Sequence, residues 1–267
     1  MSKPISAHAE TLRILRENNM KAKKHFGQNF IIDPSVVEKI AEKALVDQQY
    51  VIEVGPGLGA LTQQLSLRAR KIDAYEIDKD CVAVLEKHFE NSNVSIHFKD
   101  FLTTTSDDIS ATHCVGNLPY YITTPILFHI LENLPSIQVI TIMVQKEVAD
   151  RFQASPNSKD YNALTILLNT LCEVKTVMKV NPKVFHPAPA VDSAVVQLIR
   201  KEGVSYSERK PYFDFVKQAF TQRRKTLFNN LKQYPNLLTA LETLSISPSI
   251  RAEALSKEQF ESLFNLI

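Results

Sequence analysis

The chain has 267 residues, 44% hydrophobic and 22% charged, the profile of a globular protein with room for one large domain or a large and a small one. No apolar run reaches the roughly 18 residues of a membrane span, and "MSKPISAHAETLRILRENN" has no apolar core of signal-peptide type, so a cytoplasmic protein without a membrane partner is expected. The formal net charge is +2, and Cys81, Cys114 and Cys172 form neither a CxxC pair nor a zinc-like Cys/His spacing, so buried reduced thiols and no metal are expected.

In chain order, "DPSVVEKIAEKAL" predicts a helix, with an Asp cap, Pro at the first helical position and Val36, Val37, Ile40, Ala41 and Ala44 on one face. "YVIEV" (50–54) predicts a buried strand, and "GPGLGALTQQL" a glycine-rich turn entering a helix. A strand at 71–77, a helix at 79–89, a strand at 93–98 ending near Asp100, a short strand at 112–115 and a helix at 124–134 follow. "IQVITIMV" (137–144) is continuously apolar, as in a central strand covered on both faces. Such alternation implies a parallel sheet with right-handed crossovers. Then "CEVKTVMKV" (172–180) and "SAVVQLIR" (193–200) predict an antiparallel pair closing one side of the sheet. Beyond the polar linker 201–210, "PYFDFVKQAFTQ", "RRKTLFNNLKQ" and the remainder predict a small all-α domain from about residue 205.

Charge is segregated along this plan. Residues 1–30 carry a net +4 and residues 200–232 a net +6, whereas 31–199 carry −6 and 233–267 carry −2. Two basic segments flanking an acidic body suit a polyanionic partner; two solvated helical faces would give the same counts.

Four strand ends carry the chemistry. Gly55, Gly57 and Gly59 let a ligand approach the backbone, while Pro56 lacks an N–H, which makes this turn poor in donors for a pyrophosphate. Glu76, about 20 residues on, stands where an acid accepts from a ribose diol, and Asp100 where a carboxylate could receive an adenine amino group. Together they predict a pocket for an adenosine-like ligand, either a nicotinamide cofactor or S-adenosylmethionine. "NLPY" separates the two. Asn117 Oδ1 and the Leu118 carbonyl can both accept from the amino group of a nucleobase, Pro119 holds the backbone rigid, and Tyr120 offers a stacking face. An Asn-initiated turn packed over two tyrosines is the structural alternative.

"KKHFGQNFIID", "VIEVGPGLGALT", "YEID", "GNLPYYITTPI", "MVQKEVADRF", "VFHPAPAVDSAVV" and "FTQRRKTLFNNL", in that order, resemble the rRNA adenine N6,N6-dimethyltransferase family, nearest its bacterial small-subunit (16S) branch. The resemblance implies a Rossmann-like methyltransferase fold: a mostly parallel seven-stranded sheet with an antiparallel end, plus a small all-α C-terminal domain. It divides the chain into a basic arm and cofactor cover (1–30), a methyltransferase domain (31–204) and a helical RNA-binding domain (205–267). It implies S-adenosyl-L-methionine as methyl donor, and two adjacent adenosines in the 3′-terminal hairpin of 16S rRNA as acceptors. The partner would be a small-subunit precursor, met by a monomer.

Residue by residue, the resemblance places Gln28, Asn29, Ile31, Gly55, Gly57, Glu76, Ile77, Asp100, Phe101 and Asn117 at the cofactor. It places Asn117, Leu118, Pro119, Tyr120 and Phe185 at the target base, Phe185 closing on the side opposite Tyr120; a loop anchor among prolines is the bland reading of that phenylalanine. Arg223, Arg224 and Lys225 would start a basic helix on the RNA. A related class methylates a large-subunit rRNA adenine, but "FGQNF" and "QRRKTLFNNL" favour the small-subunit branch. A protein that is chiefly an assembly checkpoint binding the immature subunit, with methylation secondary, is the alternative of another class; intact Gly55, Glu76 and Asn117 argue against a dead enzyme but not against a dual role.

Overall fold

A computed structural model describes residues 3–119 and 121–267. They form two compact units, one of residues up to Ala149 together with Lys175–Ile199, the other of Asp150–Val174 with Arg200–Ile267.

In the first unit, helix α1 (His8–Glu17) precedes a two-residue strand β1 (Phe30–Ile31) and α2 (Pro34–Lys43). The α2 cap forms as its sequence dictates, with the Asp33 side chain accepting from Ser35 N–H and Pro34 at the first position. There follow β2 (Tyr50–Val54), α3 (Ala60–Ser66), β3 (Lys71–Glu76), α4 (Lys79–His88), β4 (Val94–Phe98), β5 (His113–Asn117), α5 (Thr123–Asn133) and β6 (Val139–Gln145). After α6 (Lys146–Phe152) and α7 (Ala163–Leu171) come β7 (Cys172–Val180), β8 (Phe185–His186) and β9 (Ser193–Arg200). The large sheet has seven strands in the order β4-β3-β2-β5-β6-β9-β7. Strands β4, β3, β2, β5 and β6 are parallel neighbours, and β9 lies antiparallel to β6. This is the expected mostly parallel sheet with an antiparallel end. The order reverses at β2, so the carboxyl ends of β2, β3 and β5 open together on one edge, where ligands of such folds bind.

Beneath that edge Val37, Ile40, Val51, Leu61, Leu65, Ile72 and Val115 pack as one core cluster, each almost wholly buried. Burial of side chains of this size contributes about 1.5–3 kcal/mol apiece. Cys81, Cys114 and Cys172 are free and buried. No helix of the described residues is long and apolar enough to cross a membrane.

Three features depart from the sequence-based expectation. Residues 3–30 are not an arm in the structure: Ile5, Ile14, Leu15 and Met20 are buried with Leu58, Cys81, Leu85 and Phe89 in a second core cluster. Second, the helical unit recruits α6 residues from Asp150 on and all of α7, whereas the sequence placed its start near 205. The α7 sequence "ALTILLNTL" is apolar nearly all round, so it needs partners on several sides, and Ile166, Leu167, Leu168 and Leu171 are buried. Third, α8 (Tyr206–Ala219) begins inside the supposed linker, capped by Ser205, whose side chain accepts from Glu208 N–H, and runs through Pro211. The Ser-x-x-Glu spacing was the missed signal. Helices α9 (Leu227–Leu231), α10 (Leu237–Thr243) and α11 (Lys257–Phe264) complete the unit.

Candidate active site

Gly55 leaves β2 with a left-handed backbone, φ 70°, which a residue with a Cβ adopts only under strain. Gly116 on β5 answers a different demand: a Cβ there would lie 2.7 Å from the Val54 carbonyl oxygen and 2.9 Å from Leu118 Cδ2. The missing side chain lets the ends of β2 and β5 close on each other.

At the end of β3 the Glu76 carboxylate is almost wholly buried and held by backbone donors. Its Oε2 accepts from Gly57 N–H at 3.0 Å, and its Oε1 from Ile77 and Asp78 N–H at 2.8 and 2.9 Å. Burial pushes its pKa up, and the three N–H donors pull against that rise. The glycine turn and the acid are thus one hydrogen-bonded unit, with carboxylate lone pairs still available to hydroxyl donors. Asp100 caps a short turn, its Oδ1 accepting from Leu102 N–H. Beside it Phe101 is buried, edge-on to Tyr75 and His129 with ring centroids 5.5 Å from each.

The N-terminal segment covers this edge. Gln28 Nε2 donates to Asp78 Oδ2 at 2.7 Å, and Lys23 Nζ bridges Asp78 Oδ1 and Asp80 Oδ2 at 2.6 and 2.7 Å. Burial would raise Asp78, but Lys23 and Gln28 prevail and hold it below the usual carboxylate range. Asn29 contributes its backbone: Asn117 Nδ2 donates to the Asn29 carbonyl at 3.1 Å. A carbonyl only accepts, so this contact turns the Asn117 amide nitrogen toward it and leaves Oδ1 as the acceptor on offer.

One concave pocket is lined by Gln28, Asn29, Ile31, Gly55, Gly57, Glu76, Ile77, Asp100, Phe101, Asn117, Leu118 and Pro119. Every predicted cofactor residue is therefore brought together. Tyr120, predicted to stack on the base, lies outside the described residues. Phe185 is where the structure departs from expectation: it is 3% exposed and belongs to the core cluster with Ile31, Val180 and Val195. Its strand β8 is antiparallel to β1, with Ile31 opposite Phe185, so the ring anchors the cover strand in the core instead of facing the pocket. Arg223, Arg224 and Lys225 are exposed but precede α9 in a turn, and Thr226 caps that helix. Of the apolar residues that follow, Leu227 and Leu231 are buried, while Phe228 is 36% exposed. Arg223 is engaged, donating to the Lys159 carbonyl at 2.8 Å and to Glu253 at 2.9 Å. A basic triplet read along the chain gives no hint of this brace, because its acceptors lie 64 and 30 residues away.

Sequence reasoning also missed Glu53, a pocket-lining carboxyl that is 1% exposed. Neither its Oε2 nor the Thr62 Oγ1 finds a hydrogen-bond partner among the described residues. Burial dominates and pushes Glu53 up to about 8. Its folded pKa thus exceeds the unfolded one, near 4.3. The folded state holds the extra proton between the two values, so stability falls as pH rises through that window, by at most about 1.4 kcal/mol per unit. Glu53→Gln should flatten the fall of the melting temperature between pH 5 and 8, and an unchanged slope in thermal melts would refute a neutral Glu53.

A family profile described as ribosomal RNA adenine dimethylase matches residues 19–267. The chain belongs to the ribosomal RNA adenine dimethylase family. The chain is 42% identical to the ribosomal RNA small subunit methyltransferase A of Mycoplasmopsis pulmonis, over 92% of its own length and 98% of that relative. It is likewise 42% identical to the protein of that name from Bacillus pumilus, over 100% and 98%. Among solved structures it resembles a dimethyladenosine transferase from Plasmodium falciparum, TM-score 0.74, 28% identical over 87% of this chain and 95% of that one. It also resembles the 23S rRNA methyltransferase ErmE, TM-score 0.70, 30% identical over 89% and 98%. The protein is thus a methyltransferase of Rossmann-like fold. Among the described residues no cluster of His, Cys, Asp and Glu could hold a metal ion.

Proposed function

We propose that this protein dimethylates N6 of two adjacent adenosines in the 3′-terminal hairpin of small-subunit (16S) rRNA, using S-adenosyl-L-methionine, in the cytoplasm and on an assembly intermediate of the subunit. The observation that carries the reading is the Asn117 amide, pinned by the Asn29 carbonyl so that Oδ1 is left to accept.

The residues fit the cofactor. Glu76 keeps acceptor capacity for a ribose diol, Asp100 and Ile77 would border the adenine, and Gly55 would let the methionine portion lie against the backbone. Pro56 offers no donor to a pyrophosphate, and Lys99, the lysine among the described lining residues, is ion-paired with Asp108 at 3.1 Å. This favours a phosphate-free cofactor over a dinucleotide. When bound, S-adenosylmethionine supplies an electrophilic methyl group.

The protein's own work is on the amine. An adenine amino nitrogen is a poor nucleophile because its lone pair is delocalised into the ring. Asn117 Oδ1 and the Leu118 carbonyl, accepting both N–H groups at the first transfer and the one that remains at the second, favour the pyramidal form with a localised lone pair. Positive charge that develops on nitrogen then lies beside two fixed acceptors. A base turned out of an RNA loop is the form able to reach them. The relatives named small subunit methyltransferase A favour the 16S target over the 23S target of ErmE. Labelled methyl transfer onto undermethylated small subunits, followed by nucleoside analysis, tests the whole: a product other than N6,N6-dimethyladenosine refutes it.

For the RNA, exposed Arg224 and Lys225 are the phosphate-binding cations in this reading. Replacing both with glutamine should weaken subunit binding and flatten its salt dependence by about 0.7–0.9 of slope for each phosphate left without its cation. Arg223→Gln should instead lower the melting temperature, since it frees Glu253 and the Lys159 carbonyl. Filter binding across a salt series and thermal melts separate the two, and an unchanged slope in the double variant would leave these residues a solvated face.

A further inference from the structure

The second tyrosine of "LPYY" has no part in the mechanism above, yet it stands at the pocket mouth. Tyr121 is 59% exposed and lines the pocket together with half-buried Phe26. Its backbone lies inside a turn closed by the Ile122 N–H donating to the Pro119 carbonyl at 3.1 Å. Across from it Gly27 packs so closely that an added Cβ would be 3.3 Å from Pro119 Cβ and 3.6 Å from Tyr121 Cε1. Next to Gly27, the His25 and Phe26 rings lie 4.2 Å apart, and Lys23 Nζ is 5.8 Å from the centre of the Phe26 ring. Lys21 and Lys24 are exposed on the same segment. The mouth therefore carries aromatic faces, with exposed cations on the same N-terminal segment.

This combination suits one kind of occupant. A base drawn into the pocket leaves its neighbour in the strand without a stacking partner, and aromatic side chains restore that stacking in single-stranded nucleic acid. The strand's phosphates would then pass the lysines. We propose that Tyr121, with Phe26 and His25, forms a stacking subsite for the purine base that flanks the one being methylated. The subsite rests on the function proposed above and extends it: the neighbouring adenosine is held outside while its partner reacts, which fixes the register of the strand.

Methylation of undermethylated small subunits by full-length variants tests it, with S-adenosylmethionine affinity measured separately by calorimetry. Tyr121→Ala should raise the KM for subunits about tenfold, toward the lower end for one base–aromatic stack, with kcat and cofactor affinity nearly unchanged. Tyr121→Phe, which keeps the ring, should restore the wild-type KM, and Tyr121→Leu, which keeps only bulk, should not. An unchanged KM in Tyr121→Ala overturns the subsite. Full rescue by leucine overturns stacking as its basis. Loss of cofactor affinity with KM intact makes Tyr121 a wall of the cofactor pocket and also overturns it. If the wild type leaves no dimethyladenosine in these subunits, the underlying function fails first and the subsite with it.

Discussion

Asn117→Ala should lower methyl transfer by about 10²–10³-fold while leaving the affinity for subunits within a few-fold of wild type. The argument is differential: Oδ1 acts on charge that develops only as the amine reacts, so its loss is felt in kcat and little in binding. Asn117→Asp sharpens the test. Aspartate keeps acceptor oxygens but loses the Nδ2 donor that bonds to the Asn29 carbonyl at 3.1 Å, and places a carboxylate oxygen against that carbonyl. Acceptors alone are then present without the orientation, and this variant should be as slow as alanine. Single-turnover rates with saturating cofactor distinguish the cases, and near wild-type chemistry in Asn117→Ala would remove the amine mechanism. An aspartate variant that retained activity would show that the clamp to Asn29 is dispensable.

Glu76→Ala should weaken S-adenosylmethionine binding by roughly 1.5–3 kcal/mol, about 10–150-fold in Kd, because two ribose hydroxyls lose a charged acceptor. The same substitution strips the acceptor from Gly57, Ile77 and Asp78 N–H, so a lower melting temperature without ligand accompanies it. Glu76→Gln separates the two effects. Its amide oxygen can still accept from Ile77 and Asp78 N–H while its amide nitrogen faces the Gly57 N–H, so the cofactor affinity should fall less than in alanine and the melting temperature should recover only in part. Calorimetry that finds wild-type affinity in a folded Glu76→Ala protein would refute the ribose role.

Much of this protein is decided by local pattern. The glycine turn, the Asp33–Pro34 helix start and the apolar run of β6 each express a preference of neighbouring residues, and the sheet with its carboxyl-edge pocket follows once strands and helices alternate. The positions of Gly55, Glu76, Asp100 and Asn117 were legible for the same reason, since each ends or follows a strand. What only the tertiary structure decided is of another kind. Phe185 is aromatic, among prolines and near the site, but β8 pairs with β1 and buries it. The basic N-terminal residues read as an arm until Ile5, Ile14 and Leu15 are seen in a core and Lys23 on Asp78. Asn29 acts through its backbone carbonyl, a group every residue carries, and the amide it orients lies 88 residues along the chain. A pattern in sequence records what a side chain prefers, whereas these contacts were settled by which distant groups the packed fold brought within about 3 Å of one another.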